Sequence, residues 1–148
     1  MRLTRQGDYA IRTMVDLAEA KPGELQQTKQ VAARQEIPEA FLNKIVQILH
    51  KGGLVETCRG AQGGIRLAKP SDQITLRQVI ETVEGPIALN RCLASNEPCP
   101  RQENCLIHAN LAHVQEVLIQ ELDKITISSL VPKKSDEERD AEENEKVV

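Results

Sequence analysis

The sequence predicts a mainly α-helical fold with a small β-hairpin wing: a winged helix-turn-helix followed by a long dimerisation helix. Three observations carry this expectation. Helical apolar spacing fills residues 8–51 in three short blocks, a glycine-tipped pair of strand-like runs occupies 54–69, and an apolar seam runs from Ile107 to Leu122.

Ala10, Ile11, Met14, Leu17 and Ala18 recur at three- and four-residue intervals, so a helix is expected from about Asp8 to Ala20, ended by Lys21-Pro22-Gly23. Thr28 is a candidate N-cap for a short helix to about Gln35 whose apolar content is Val31, Ala32 and Ala33. Pro38 at a first helical position and Glu39 in the first turn open a third helix. Its Phe41, Leu42, Ile45, Val46 and Leu49 are expected to face inward, and Gly52-Gly53 closes it. Helices this short are stable only when packed on one another.

From Leu54 the period changes. The runs LVETC and GIRLAK flank Arg59-Gly60-Ala61-Gln62-Gly63-Gly64, which predicts a β-hairpin with Cys58 as a small core residue of its first strand. Thr75 and Gln78 form a capping box for a fourth helix, with Leu76, Val79, Ile80 and Val83 running to Gly85. The segment from Pro86 to about Arg101 has little periodicity and holds two cysteines. Ile107, Leu111, Val114, Leu118 and Leu122 then mark a helix too long for this small body to cover, so the same helix of a second copy is its expected partner. From Pro132 the chain is charged and without aromatics, which predicts disorder. The expected organisation is therefore a DNA-binding unit over 1–85, a metal-binding loop and dimer helix over 86–131, and an acidic tail over 132–148.

The formal net charge of −3 hides an uneven distribution: residues 1–69 carry +4, residues 70–131 carry −4 and residues 132–148 carry −3. Only the first half has the electrostatics to approach a phosphate backbone. The N-terminal residues lack the apolar run of a secretory signal and no stretch reaches membrane-spanning length, so a cytoplasmic protein without membrane partners is expected. In that reducing compartment four cysteines point to metal or redox chemistry rather than disulfides. No nucleophile–base or acid–base constellation suggests an enzyme.

Two constellations carry chemistry. On the outward face of the third helix, Ala40, Asn43, Lys44 and Gln47 would meet the major groove, Asn and Gln pairing with adenine edges and Lys with guanine or phosphate. Arg59 beside Gly60 at the hairpin tip suits a narrow minor groove, where a planar cation is attracted and glycine permits close approach. The second constellation is Cys92, Cys99 and Cys105 with His108 three residues further, on the same helical face as Cys105. Three thiolates and an imidazole suit iron in a cluster and tetrahedral zinc equally. His50 and His113 have no companions at ligand spacing and are expected to be surface or core histidines.

MRLTRQGDYAIR at the start, FLNKIVQILHKGGLVETCRGAQGGIRLAK in the middle, and CLIH with ITISSLV near the end together resemble the IscR/NsrR-like winged-helix iron–sulfur transcription regulators over about residues 1–131. The resemblance implies a homodimer on a double-stranded DNA operator, with an iron–sulfur cluster on each subunit that controls promoter affinity. It places the cysteine ligands on Cys92, Cys99 and Cys105. For the fourth ligand it offers His108, with a [2Fe–2S] cluster, or Asp8 from the partner subunit, with a [4Fe–4S] cluster; His108 is preferred. The alternative is a winged-helix regulator with structural zinc or a thiol-based switch. Asn43 stands where IscR-like proteins carry Glu, so no operator sequence transfers.

Overall fold

The structure is a computed structural model and describes residues 2–94 and 98–133. Its helices are α1 (Arg5–Glu19), α2 (Thr28–Gln35), α3 (Glu39–Lys51), α4 (Leu76–Glu84), α5 (Leu106–Lys124) and α6 (Ile127–Leu130). Strands β1 (Val55–Cys58) and β2 (Gly64–Leu67) form an antiparallel hairpin between α3 and α4, with Val55 opposite Leu67 and Cys58 opposite Gly64. This is the mainly helical, winged arrangement that the sequence predicts. Of the acidic tail, residues 134–148 lie outside the described residues.

Helix α1 is central and packs against α2, α3, α4, α6 and β2. Its Ala10, Met14 and Leu17 bury with Leu42, Ile45 and Leu49 of α3 and Val79 of α4 in one core. The helix starts earlier than the apolar spacing suggested, because Thr4 caps it: Thr4 Oγ1 accepts the Gly7 amide at 3.2 Å. Polar residues extend a helix without leaving any trace in hydrophobic period.

One polar cluster is built into this core. Asp16 is 5% exposed and accepts two hydrogen bonds from Arg34, at 2.7 and 3.0 Å, and one from Gln35 at 2.9 Å. The bond to Asp16 is the main cause that holds the Arg34 guanidinium above its ordinary pKa. These bonds fix α2 on α1. The turn to α3 then uses Glu36 in the left-handed region (φ 53°), while the Ile37 amide reaches back to the Ala32 carbonyl at 2.9 Å and the Ile37 side chain buries.

Several local expectations are corrected. Thr28 is the first residue of α2, and the cap is Gln27, which makes no side-chain capping bond. Phe41 is 36% exposed rather than inward, since it lies at the edge of the arc formed by Leu42, Ile45, Val46 and Leu49 and packs edge-on against Tyr9. Cys58 is exposed, not core: only Val55 of β1 buries, and the strand runs off the body beyond it. The capping box at Thr75 and Gln78 is present as expected. Helix α6 was not foreseen. It docks through fully buried Ile127, with Ile127 N–H donating to Ile74 O at 2.9 Å and Leu76 N–H to Ile125 O at 2.8 Å.

Candidate functional site

The exposed face of α3 and the hairpin enclose a cleft of about 890 Å³. Ala40, Asn43, Lys44 and Gln47 are all exposed on α3, and of these Asn43 and Gln47 line the cleft. Arg59 and Gly60 line it from the wing. Gly60 has φ 109°, a conformation that side chains rarely adopt. Sequence reasoning missed Gln27, Thr28, His50, Lys51 and Cys58, which line the same cleft. Lys51 could have been found, because it lies four residues beyond Gln47 on the α3 face. Gln27 and Thr28 could not, since the turn that carries α2 beside the wing is set by tertiary contacts. Those contacts are mutual hydrogen bonds between the Gln26 and Ile65 backbones, each 2.8 Å.

The second site lies between α4 and α5. Ligand atoms of Cys92, Cys99 and His108 all fall within 4.8 Å of one another. A short 3₁₀ turn, Arg91–Leu93, presents Cys92, and the Asn90 side-chain amide donates to its sulfur at 3.6 Å. His108 is in the first turn of α5; its Nδ1 is buried and has no hydrogen-bond partner among the described residues. An unsatisfied buried nitrogen costs about 1–3 kcal/mol. The three residues line a pocket of about 360 Å³. Cys105 does not join them: it caps α5, its sulfur accepting the His108 amide at 3.5 Å. Asp8, the alternative fourth ligand expected from a partner subunit, pairs with Arg12 of its own helix at 3.0 Å.

Helix α5 has no buried residue, and its apolar seam is divided. Leu111, Leu118 and Leu122 are half-buried, while Ile107 at 68%, Val114 at 53% and Val117 at 44% face outward. The C-terminal end of α5 is fastened to α4: Arg77 donates to Asp123 at 2.9 Å and to Glu81 at 3.2 Å, and the bond to Asp123 leads in raising the Arg77 pKa. Thr75 and Thr126 add a backbone bridge. No helix among the described residues is long and apolar enough to cross a membrane.

A helix-turn-helix beside a glycine-tipped wing defines a winged-helix DNA-binding regulator. The chain matches the Rrf2 family, described as iron-dependent transcriptional regulators, over residues 3–133, and it belongs to that family. It is 34% identical over 137 residues to the HTH-type transcriptional regulator NsrR of Bacillus subtilis, covering 92% of this chain and 94% of the relative. Among solved structures it is similar to CymR, the global cysteine regulator of B. subtilis, at 28% identity and TM-score 0.70, covering 88% of this chain and 95% of that one. The IscR of T. potens gives 26% identity and TM-score 0.70, over 88% and 85% of the two chains. The protein is thus a DNA-binding transcription regulator of the Rrf2 family.

Proposed function

We propose that this regulator binds a double-stranded operator as a cytoplasmic homodimer, and that an iron–sulfur cluster held by Cys92, Cys99, Cys105 and His108 sets its DNA affinity. The observation that carries the reading is the convergence of Cys92, Cys99 and His108 at the junction of loop and α5, with Cys105 one helical turn away. The donor set fits the group: thiolates are the usual iron–sulfur ligands, and imidazole replaces thiolate in some clusters. His108 is favoured over Asp8 because its Nδ1 has no partner among the described residues, whereas Asp8 already has Arg12. That favours [2Fe–2S] ligation. When bound, a cluster supplies reversible electron transfer and ligands that a signal can displace.

On this reading the chain's own residues convert metal binding into geometry. Residues 91–94 and 98–104 carry few apolar groups, so their order depends on ligand bonds. Helix α5 is clamped to α4 at its C-terminal end by Arg77 and Asp123, which leaves its N-terminal end, with His108, as the movable one. Tilting α5 changes the spacing of the two recognition helices in a dimer, and both must meet successive major grooves together. Ile107, Val114 and Val117 supply the dimer surface. Asn43, Lys44 and Gln47 read bases from α3, and Arg59 and Gly60 contact the backbone or minor groove.

Anaerobic purification, iron and acid-labile sulfide analysis, and visible and electron paramagnetic resonance spectra test the cluster; titration of operator DNA with holo and apo protein tests the switch. The expected result is a coloured protein whose affinity changes at least about tenfold on cluster loss, within the usual range of allosteric coupling. Equal affinities for holo and apo protein would overturn the switch, and failure of anaerobic reconstitution to load iron and acid-labile sulfide would overturn the cluster.

A further inference from the structure

The separation of the three converging ligand atoms points to a second metal state of the same loop. Ligands on one tetrahedral ion, with bonds of about 2.0–2.3 Å, stand roughly 3.3–3.8 Å apart. Terminal ligands on different irons of a cluster point away from each other across the sulfide core and stand much further apart. Cys92, Cys99 and His108 hold their ligand atoms within 4.8 Å of one another, close to the spacing around a single ion. Cys105 stays outside, its sulfur engaged with the His108 amide at 3.5 Å and absent from the pocket lining.

We propose that the cluster-free protein closes Cys92, Cys99 and His108 on one divalent ion of the zinc class, without Cys105. Two thiolates and one imidazole make a neutral set with such a cation, and three protein ligands leave a fourth tetrahedral position open to an exchangeable ligand. Three observations support a built site. The Nδ1 of His108 is buried without a partner among the described residues. Asn90 donates to the Cys92 sulfur, the kind of outer hydrogen bond that steadies a metal thiolate. Cys105 instead keeps α5 capped, so the helix that carries His108 remains formed while the ion is bound. The inference shares residues with the cluster reading but does not depend on it. If both hold, an available divalent ion competes with cluster assembly, and the loop has two ordered metal forms.

The test uses the full chain, stripped of metal under reducing anaerobic conditions and titrated with Co(II), then with Zn(II) in competition. The expected result is one Co(II) per chain, with thiolate charge-transfer absorption and the intense visible bands of tetrahedral cobalt, both erased by Zn(II). Cys92→Ala, Cys99→Ala and His108→Ala should each weaken Co(II) binding at least about tenfold. Cys105→Ser, which keeps a capping side chain, should retain tetrahedral Co(II) within about threefold of wild-type affinity while losing a reconstituted cluster. Helical circular dichroism of each variant separates loss of a ligand from loss of fold. Absence of tetrahedral bands in the folded wild type, or loss of Co(II) in folded Cys105→Ser to the extent seen in Cys92→Ala, would overturn the proposal. Failure of cluster reconstitution in the wild type with Co(II) binding intact would sink the cluster reading alone.

Discussion

The Leu89 amide donates to Gln115 Oε1 at 2.9 Å, which fastens the start of the cysteine loop to the middle of α5. The loop is therefore anchored to α5 at two places, Leu89 ahead of its cysteines and the cap at Cys105 behind two of them. On the proposed reading, ordering of the loop by metal would be passed to the helix through these points.

Gln115→Ala should weaken this transmission while leaving the helix intact. A hydrogen bond of ordinary net worth, about 0.5–1.5 kcal/mol, corresponds to a roughly two- to tenfold smaller ratio between holo and apo DNA affinities. Operator titrations of both forms measure that ratio. An unchanged ratio would show that the coupling runs elsewhere.

The cleft between α3 and the wing separates two kinds of DNA contact. Asn43→Ala and Lys44→Ala should change base preference, at a cost of about 1–3 kcal/mol for each lost bidentate contact. Arg59→Ala should lower affinity with less effect on major-groove preference. Binding to a randomised operator pool, followed by sequencing of the retained DNA, distinguishes the two outcomes. If all three variants select the wild-type sequence with wild-type affinity, the DNA surface lies on another face.

Val114 is 53% exposed in the centre of the outward stripe of α5. Val114→Glu should place a carboxylate in the dimer seam and shift the protein to monomer in sedimentation velocity, with secondary structure preserved. Leu118 is half-buried against its own chain, so a charge there would also disturb the fold and is the poorer test. A Val114→Glu variant that stays dimeric at micromolar concentration would place the interface off this stripe.

Gly64 lies where the wing meets the segment before α2. A Cβ on Gly64 would stand 2.4 Å from the Gln26 carbonyl oxygen, a backbone atom held by its bond from the Ile65 amide. Gly64→Ala should therefore destabilise the protein by about 1–3 kcal/mol, as overpacking does. Thermal denaturation should show a lower midpoint, and operator binding should weaken because the wing is displaced. A midpoint equal to wild type would mean that the wing shifts without cost.

Much of the fold was legible because period and punctuation agree. Met14, Leu17, Leu42, Ile45 and Leu49 repeat at helical spacing and are buried, and Thr75 with Gln78 is a capping box in sequence and in space. Helix α6 was not legible: four residues show no period, and what makes them helical is the docking of Ile127 beneath Ile74 and the bridge from Thr126 to Thr75. Cys58 misled because alternation along a strand says which faces differ and not where the strand leaves the body.

For the metal loop the division is sharper. Sequence by itself determined the inventory, three cysteines at spacings of six and five residues with a histidine one turn beyond, because ligand chemistry is a property of residue type. Only the tertiary structure decided which of them meet. It brings Cys92, Cys99 and His108 together and gives Cys105 to the end of α5. The physical reason is that a helix start must satisfy its own amides, and the backbone fixes which residue caps it.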